Sequence, residues 1–419
     1  MSSSTFEDAI LRAVTPGPER LLAGVALGAA GTRGADGASE SQDYLAAFGT
    51  IQLDPASPRV STKTVMWIAS CTKLPTTIAA LQCVERGLFT LDDPADVDRL
   101  IPEWKDLEIL AGWTDGGKPN LQPATAKITV RQLLTHTSGV GYDFMDPRLI
   151  GWRQSRGEGP LSMRTPTTEG FRTPLLFEPG SGFAYGGGLD LAGLMIARAN
   201  GCTLEAYMRK NIFDVLGMDD TSFYIGHNDI GKRLMPITSR ETPDGSLIDG
   251  YTEDAYLKPP LEPVDESGGA GLFGTAEDFL KLLKSILRND ARLLKPTSID
   301  LMFTPSITPS AQNSLDVALS IPAIASIMIP GEPPLGTPDA GKWSHGLGGL
   351  LGLEGSEDGL KAGSLRWLGA PSLKWWIDRE GGTCGFFATQ LYPTGEAKHA
   401  FLSPLFQKDV VSRFGRAKV

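Results

Sequence analysis

The sequence predicts an α+β fold: one antiparallel sheet assembled from both ends of the chain, flanked by helices, with a large and mostly helical region inserted between. Three observations predict it. Residues 21–30 and 44–53 are apolar, glycine-containing stretches of strand length. Strand character then returns only near the end, at 364–367, 373–378, 384–391 and 400–402. Between these regions the apolar residues recur at the helical period. The expected division is therefore residues 1–69 together with 340–419 as the sheet domain, and 70–339 as the helical region.

Each element has a local reason. Thr5–Val14 reads as a short helix with Thr5 as its cap and Asp8 three residues on. The polar stretch 32–43 joins the first two strands. After the apolar run Val65, Met66, Trp67, Ile68, Ala69, a helix is expected whose face carries Ile78, Leu81, Val84 and Leu88. Thr129 caps a short helix through Leu134, which ends at His136-Thr137-Ser138-Gly139. Two helical segments, 189–200 and 203–216, are separated by Gly201. Thr275 opens an amphipathic helix with Phe279, Leu282, Leu283, Ile286 and Leu287 on its core face. Residues 305–341, rich in proline, serine and small apolar residues without a period, read as a long surface loop or lid.

The bulk numbers narrow the function classes. At 419 residues the chain is long enough for a large core, and 49 glycines with 30 prolines imply many loops. A formal net charge of −10 disfavours nucleic acid or an anionic membrane as partner. No apolar run reaches membrane-spanning length, and the N-terminal residues lack the basic start and apolar stretch of a secretory signal. The cysteines Cys71, Cys83, Cys202 and Cys384 are scattered, so neither a zinc site nor a disulfide framework is indicated. His136, His227, His345 and His399 show no metal spacing, and His136 reads as a structural hydrogen-bonder. A cytoplasmic location is the expectation.

The chemistry begins at Ser70-Cys71-Thr72-Lys73, the chain's one Ser-x-x-Lys at a strand-to-helix junction. A serine at a helix N-terminus has its hydroxyl beside free backbone N–H groups. A lysine three residues on lies one turn along the same face, within reach of that hydroxyl. A serine hydroxyl is a poor nucleophile until a neighbour takes its proton, and a lysine does so where burial or positive charge favours the neutral amine. Taken alone, the motif is better explained by a helix cap and a solvated lysine.

Further blocks decide between these readings. Ile68 to Lys73, then Leu133-Leu134-Thr135-His136-Thr137-Ser138-Gly139, then Glu178-Pro179-Gly180-Ser181-Gly182-Phe183-Ala184-Tyr185, then Trp367-Leu368-Gly369-Ala370 resemble the ordered blocks of the serine beta-lactamase-like superfamily. Within it the chain is similar to class C-related esterases (family VIII carboxylesterases). It is most similar to the fungal branch of lovastatin-type acyltransferases and statin esterases, as residues 74–88 and Gly346-Leu347-Gly348-Gly349 also indicate. The blocks span about residues 20 to 405.

The resemblance implies roles by position: Ser70 as nucleophile, Lys73 as its base partner, Tyr185 as a second general acid/base. It implies an oxyanion hole from the backbone N–H groups of Ser70 and Ala370, and substrate contacts from Trp367 and Gly369. Phe144 and Trp152 are candidate pocket walls, whereas the adjacent Trp375 and Trp376 cannot face the same way in a strand. No metal or cofactor is implied. The partners implied are a small-molecule acyl donor, an alcohol acceptor, and an acyl carrier protein or other thioester donor. The reaction is then hydrolysis or acyl transfer on a secondary metabolite through a Ser70 acyl-enzyme.

Two departures from the lactamase pattern matter. Gly186-Gly187-Gly188 follow Tyr185, where class C lactamases and peptidases place an asparagine two residues on. Trp367 stands where they carry a carboxylate-binding lysine. A beta-lactamase or D-amino-acid peptidase is thus the weaker alternative, beside a family member that binds ligand without turnover.

Overall fold

The computed structural model describes residues 5–32, 43–240, 244–251, 256–321, 324–325, 328 and 341–416. The side chain of Thr5, most of the 32–43 connection and most of 322–340 lie outside them. Among the described residues the main sheet has seven strands: β1 (Gly24–Gly31), β2 (Tyr44–Gly49), β3 (Trp343–Gly346), β4 (Gly349–Gly352), β5 (Leu365–Gly369), β6 (Leu373–Asp378) and β7 (Thr383–Ala388). Their order is β2-β1-β7-β6-β5-β4-β3, every neighbouring pair antiparallel. Chain ends thus meet in one sheet, with Gly28 opposite Phe386 across β1 and β7.

Helices cover both faces, so β1 is buried along its whole length despite being antiparallel. On one face Val25, Leu27 and Ala29 meet Phe6 and Ile10 of α1 (Thr5–Val14), together with Trp376, Phe387, Phe406 and Val410. On the other, Phe386 stacks on Phe279 at 4.4 Å between ring centres. Phe279 belongs to the helix Ala276–Arg288, capped by Thr275, whose hydroxyl accepts from the Asp278 N–H. Gly28 lets this helix approach closely: a Cβ there would stand 3.2 Å from the Ala276 carbonyl oxygen and 3.3 Å from Leu280 Cβ, so the helix would have to give by a few tenths of an ångström. Trp375 and Trp376 point to opposite faces, as alternation requires.

The central helices hold the site. Lys73–Glu85 is buried from Lys73 through Cys83 and packs against Gly188–Asn200. The latter ends at Gly201, whose φ of 60° is the left-handed conformation of a helix C-cap. Pro75 sits in the first turn of Lys73–Glu85, where its missing N–H costs little.

Two expectations are corrected. Residues 400–402 are not a strand: Leu402–Phe414 is a helix, because Leu402, Phe406, Val410 and Phe414 repeat every four residues and bury one face against the sheet. The 305–341 stretch is not a featureless loop, since it contains the helix Pro309–Leu319 capped by Thr308. Among the described residues no helix is long and apolar enough to cross a membrane.

Candidate active site

The turn that carries Ser70 is built by what precedes it. Met66–Trp67 pairs with Phe273–Gly274, and the Ile68 N–H donates to the Leu272 carbonyl at 3.0 Å. The chain then makes a tight turn over Ala69–Thr72 and enters the helix at Lys73. Ala69 holds a positive φ of 44° there, a strained conformation for alanine costing roughly 1–3 kcal/mol, which turns Ser70 out of the strand direction. The end of β5 presses on this turn, and a Cβ on Gly369 would lie 2.5 Å from the Ile68 carbonyl oxygen.

Lys73 is brought against a second segment by threonines. The Leu272 N–H donates to Thr72 Oγ1 at 3.1 Å, and Thr76 Oγ1 donates to the Gly268 carbonyl at 2.7 Å. These bonds place the Gly269 carbonyl 2.8 Å from Lys73 Nζ. Lys73 is only 2% exposed, and its amine also reaches Ser70 Oγ at 3.2 Å and the Tyr142 hydroxyl at 3.3 Å.

Tyr185 arrives from the loop before Gly188–Asn200. That loop lies on the His136–Gly141 segment: the Ala184 N–H donates to the His136 carbonyl at 2.9 Å, and the Gly186 N–H to His136 Nδ1 at 3.4 Å. A Cβ at Gly186 would fall 2.1 Å from the Val140 carbonyl oxygen, so a side chain there would lift the loop away. The His136 segment is itself set by the helix Val130–Leu134, whose Thr129–Gln132 capping box is complete. The result is a Tyr185 hydroxyl 2.6 Å from Ser70 Oγ. Three side chains separated by up to 115 residues therefore meet within hydrogen-bond distance.

Two members of the site were missed by the sequence reading. Tyr142, beside Lys73, donates to the buried carboxylate Asp190 at 3.2 Å. Asp190 also receives the Ser267 hydroxyl, and the Gly269 N–H at 3.1 Å. A lone aspartate in the apolar run Leu189-Asp190-Leu191-Ala192 was the available signal. Burial raises the Asp190 carboxyl above its ordinary range, with the charge of Lys73 and the three donors opposing. Burial, then Asp190 and Tyr185, push the Tyr142 phenol far up, so it remains a hydroxyl.

The other predicted residues fall in different places. Ser70, Tyr142, Phe144, Tyr185, Leu368 and Ala370 border a cavity of about 250 Å³, completed mainly by apolar side chains such as Trp67, Met163 and Leu257. Trp367 is buried behind Tyr185, at 5.5 Å between ring centres, and stacks on His136 at 6.0 Å. Trp152 is buried away from the cavity wall, beneath the guanidinium groups of Arg153 and Arg156. Burial, then His345 and Lys73, hold His136 well below the usual imidazole range; burial takes His345 to about 4. Both rings are therefore neutral packing and hydrogen-bonding groups near pH 7. The space where lactamases carry an asparagine is filled, since a Cβ on Gly187 would meet the Phe171 ring at 2.2 Å. Among the described residues no His, Cys, Asp and Glu side chains cluster as a metal site requires.

The arrangement can activate a serine for attack on a carbonyl. In agreement with it, the chain belongs to the beta-lactamase family, whose model matches residues 35–402. Within that family it groups with serine esterases and acyltransferases. It is 38% identical over 357 residues to lovastatin esterase from Penicillium rubens, covering 84% of this chain and 86% of that one. It is 34% identical over 385 residues to monacolin J acid methylbutanoyltransferase from Aspergillus terreus, covering 90% of each. A mutant simvastatin synthase from Aspergillus terreus superposes with a TM-score of 0.84 at 32% identity, over 98% of this chain and 94% of that one.

Proposed function

We propose that this enzyme transfers an acyl group from a small-molecule ester or thioester, of secondary-metabolite type, to water or to an alcohol through an acyl-enzyme on Ser70. The observation that carries the reading is Ser70 Oγ held between Lys73 Nζ at 3.2 Å and the Tyr185 hydroxyl at 2.6 Å, beside an apolar cavity. In acylation a bond forms from Ser70 Oγ to the carbonyl carbon and the bond to the leaving oxygen or sulfur breaks. The Ser70 proton passes through the Lys73–Tyr185 pair to the leaving group. In deacylation the acceptor oxygen bonds to the acyl carbon and loses its proton to the same pair, the bond from that carbon to Ser70 Oγ breaks, and Ser70 Oγ recovers a proton. The Ser70 and Ala370 N–H groups are assigned to the developing oxyanion, where losing one donor costs about 2.7–4 kcal/mol of barrier.

The relatives' names extend the reading to statin-like polyketide esters as substrates. Thioester donors, including acyl groups on a carrier protein, belong to the same proposal. A cytoplasmic location is also part of it, supported by four free cysteines. Lactam and peptide hydrolysis are disfavoured by Trp367 in place of a lysine and by the space at Gly187 that Phe171 fills.

The test is to incubate the protein with short-chain p-nitrophenyl esters and acyl thioesters, with and without candidate alcohols, and to weigh the products. Free acid in water or a new ester with alcohol is expected, and Ser70→Ala abolishes both. Turnover that survives Ser70→Ala, or a chromogenic cephalosporin consumed as fast as the esters, overturns the reading.

A further inference from the structure

We propose that Asp190, acting through Tyr142, is the positioning residue that aims the amine of Lys73 at Ser70; this rests on the Ser70 acyl-enzyme reading. A lysine amine has four tetrahedral positions, one of them taken by its own side chain. The remaining three point to the Gly269 carbonyl at 2.8 Å, the Tyr142 hydroxyl at 3.3 Å and Ser70 Oγ at 3.2 Å. A carbonyl oxygen can only accept. A phenol can donate or accept, because its single hydrogen rotates. Asp190 removes that freedom: the Tyr142 hydrogen goes to Asp190 Oδ2, so the hydroxyl turns a lone pair to Lys73. Two N–H groups of Lys73 are thereby committed whatever its charge. The third position, a proton in the ammonium and a lone pair in the amine, faces the serine.

Asp190 is itself fixed. Its Oδ1 takes the Ser267 hydroxyl and the Gly269 N–H, so the residue that supplies a carbonyl to Lys73 also braces the carboxylate. Of the described groups facing Lys73 and Asp190 (Ser70, Cys71, His136, Tyr142, Tyr185, Ser267 and each other), Asp190 is the one carboxylate. The pair also supplies a lysine partner in a site where position 187 has no side chain and Phe171 occupies the room for one. Without the carboxylate, the Tyr142 hydrogen is free to turn toward the lysine nitrogen and compete with Ser70.

The test is a double-mutant cycle of Tyr142→Phe and Asp190→Asn, with a short-chain p-nitrophenyl ester, below the melting temperature of every variant. It starts from a wild type whose turnover is abolished by Ser70→Ala, so failure of the parent reading appears first and separately. Each single variant is expected to lower kcat roughly 10- to 100-fold, part of what general acid–base catalysis supplies, with KM within about threefold. The double variant is expected to be no slower than Tyr142→Phe alone, because Asp190 acts through that hydroxyl. Should Asp190→Asn fail to fold, Ser267→Ala, which removes one donor from the carboxylate, takes its place in the cycle. Losses that multiply in the double variant, a loss confined to KM, or a Tyr142→Phe enzyme within twofold of wild type overturn the proposal.

Discussion

Replacing Tyr185 by phenylalanine removes one oxygen atom from the centre of the proposed proton path and little else. The ring is held edge-on by His136 at 4.8 Å and by Tyr142 at 5.5 Å, and by Trp367 at 5.5 Å. Lys73 Nζ lies 4.7 Å from its centre. These contacts involve the ring and survive the change, so the phenylalanine should occupy the same place. What disappears is a hydroxyl 2.6 Å from Ser70 Oγ. If that hydroxyl carries the proton between serine, leaving group and acceptor, kcat falls by about 10²–10⁴, the range for general acid–base catalysis. That corresponds to roughly 2.7–5.4 kcal/mol of barrier at 1.36 kcal/mol per tenfold. KM should stay within a few-fold, because the cavity wall is largely apolar and unchanged. Residual activity above Ser70→Ala is also expected, since Lys73 remains 3.2 Å from Ser70 Oγ. The assay is the initial rate of p-nitrophenyl butyrate hydrolysis over a range of substrate concentrations, beside the rate of labelling by an active-site phosphonate. A loss of less than tenfold in both, or a loss carried by KM, would refute the reasoning.

Two further outcomes follow from other parts of the molecule. Phe144 stacks on Tyr256 at 4.5 Å and forms part of the cavity wall; Phe144→Ala should raise the kcat/KM ratio of octanoyl to acetyl esters by about tenfold, and an unchanged ratio would remove Phe144 from the acyl pocket. Burial lowers the Lys374 amine from its ordinary 10.5 to about 7. The unfolded chain therefore binds the extra proton between about pH 7 and 10.5, and stability attributable to this group rises with pH across that window. Lys374→Met should stabilise the protein at pH 7 by up to a few kcal/mol, with the gain shrinking toward pH 10, as read by denaturant melts at each pH.

Much of the site was legible because its chemistry is local. Ser70 and Lys73 are one helical turn apart, and the blocks around His136, Tyr185 and Trp367 are short and ordered. Tyr142 and Asp190 were not legible in the same way. Their meeting depends on Gly188–Asn200 crossing Lys73–Glu85, which no spacing in the chain encodes. Trp367 was read as a substrate contact because of its place in a block, whereas its burial behind Tyr185 follows from strand alternation: Leu368 and Ala370 take the cavity side. The strands Trp343–Gly346 and Gly349–Gly352 are four residues each, too short to show a period, and so appeared only as a glycine-rich motif. The C-terminal helix was legible from Leu402, Phe406, Val410 and Phe414, had the four-residue step been followed past residue 402.

The most direct measurement of the central claim is the intact mass of the protein after brief exposure to a short-chain p-nitrophenyl ester, followed by acid quench and peptide mapping. A mass gain equal to one acyl group, localised to Ser70 and absent from Ser70→Ala, is the predicted result. An enzyme that turns over the ester while no acyl group is ever found on Ser70, or that carries it on another residue, would contradict the account.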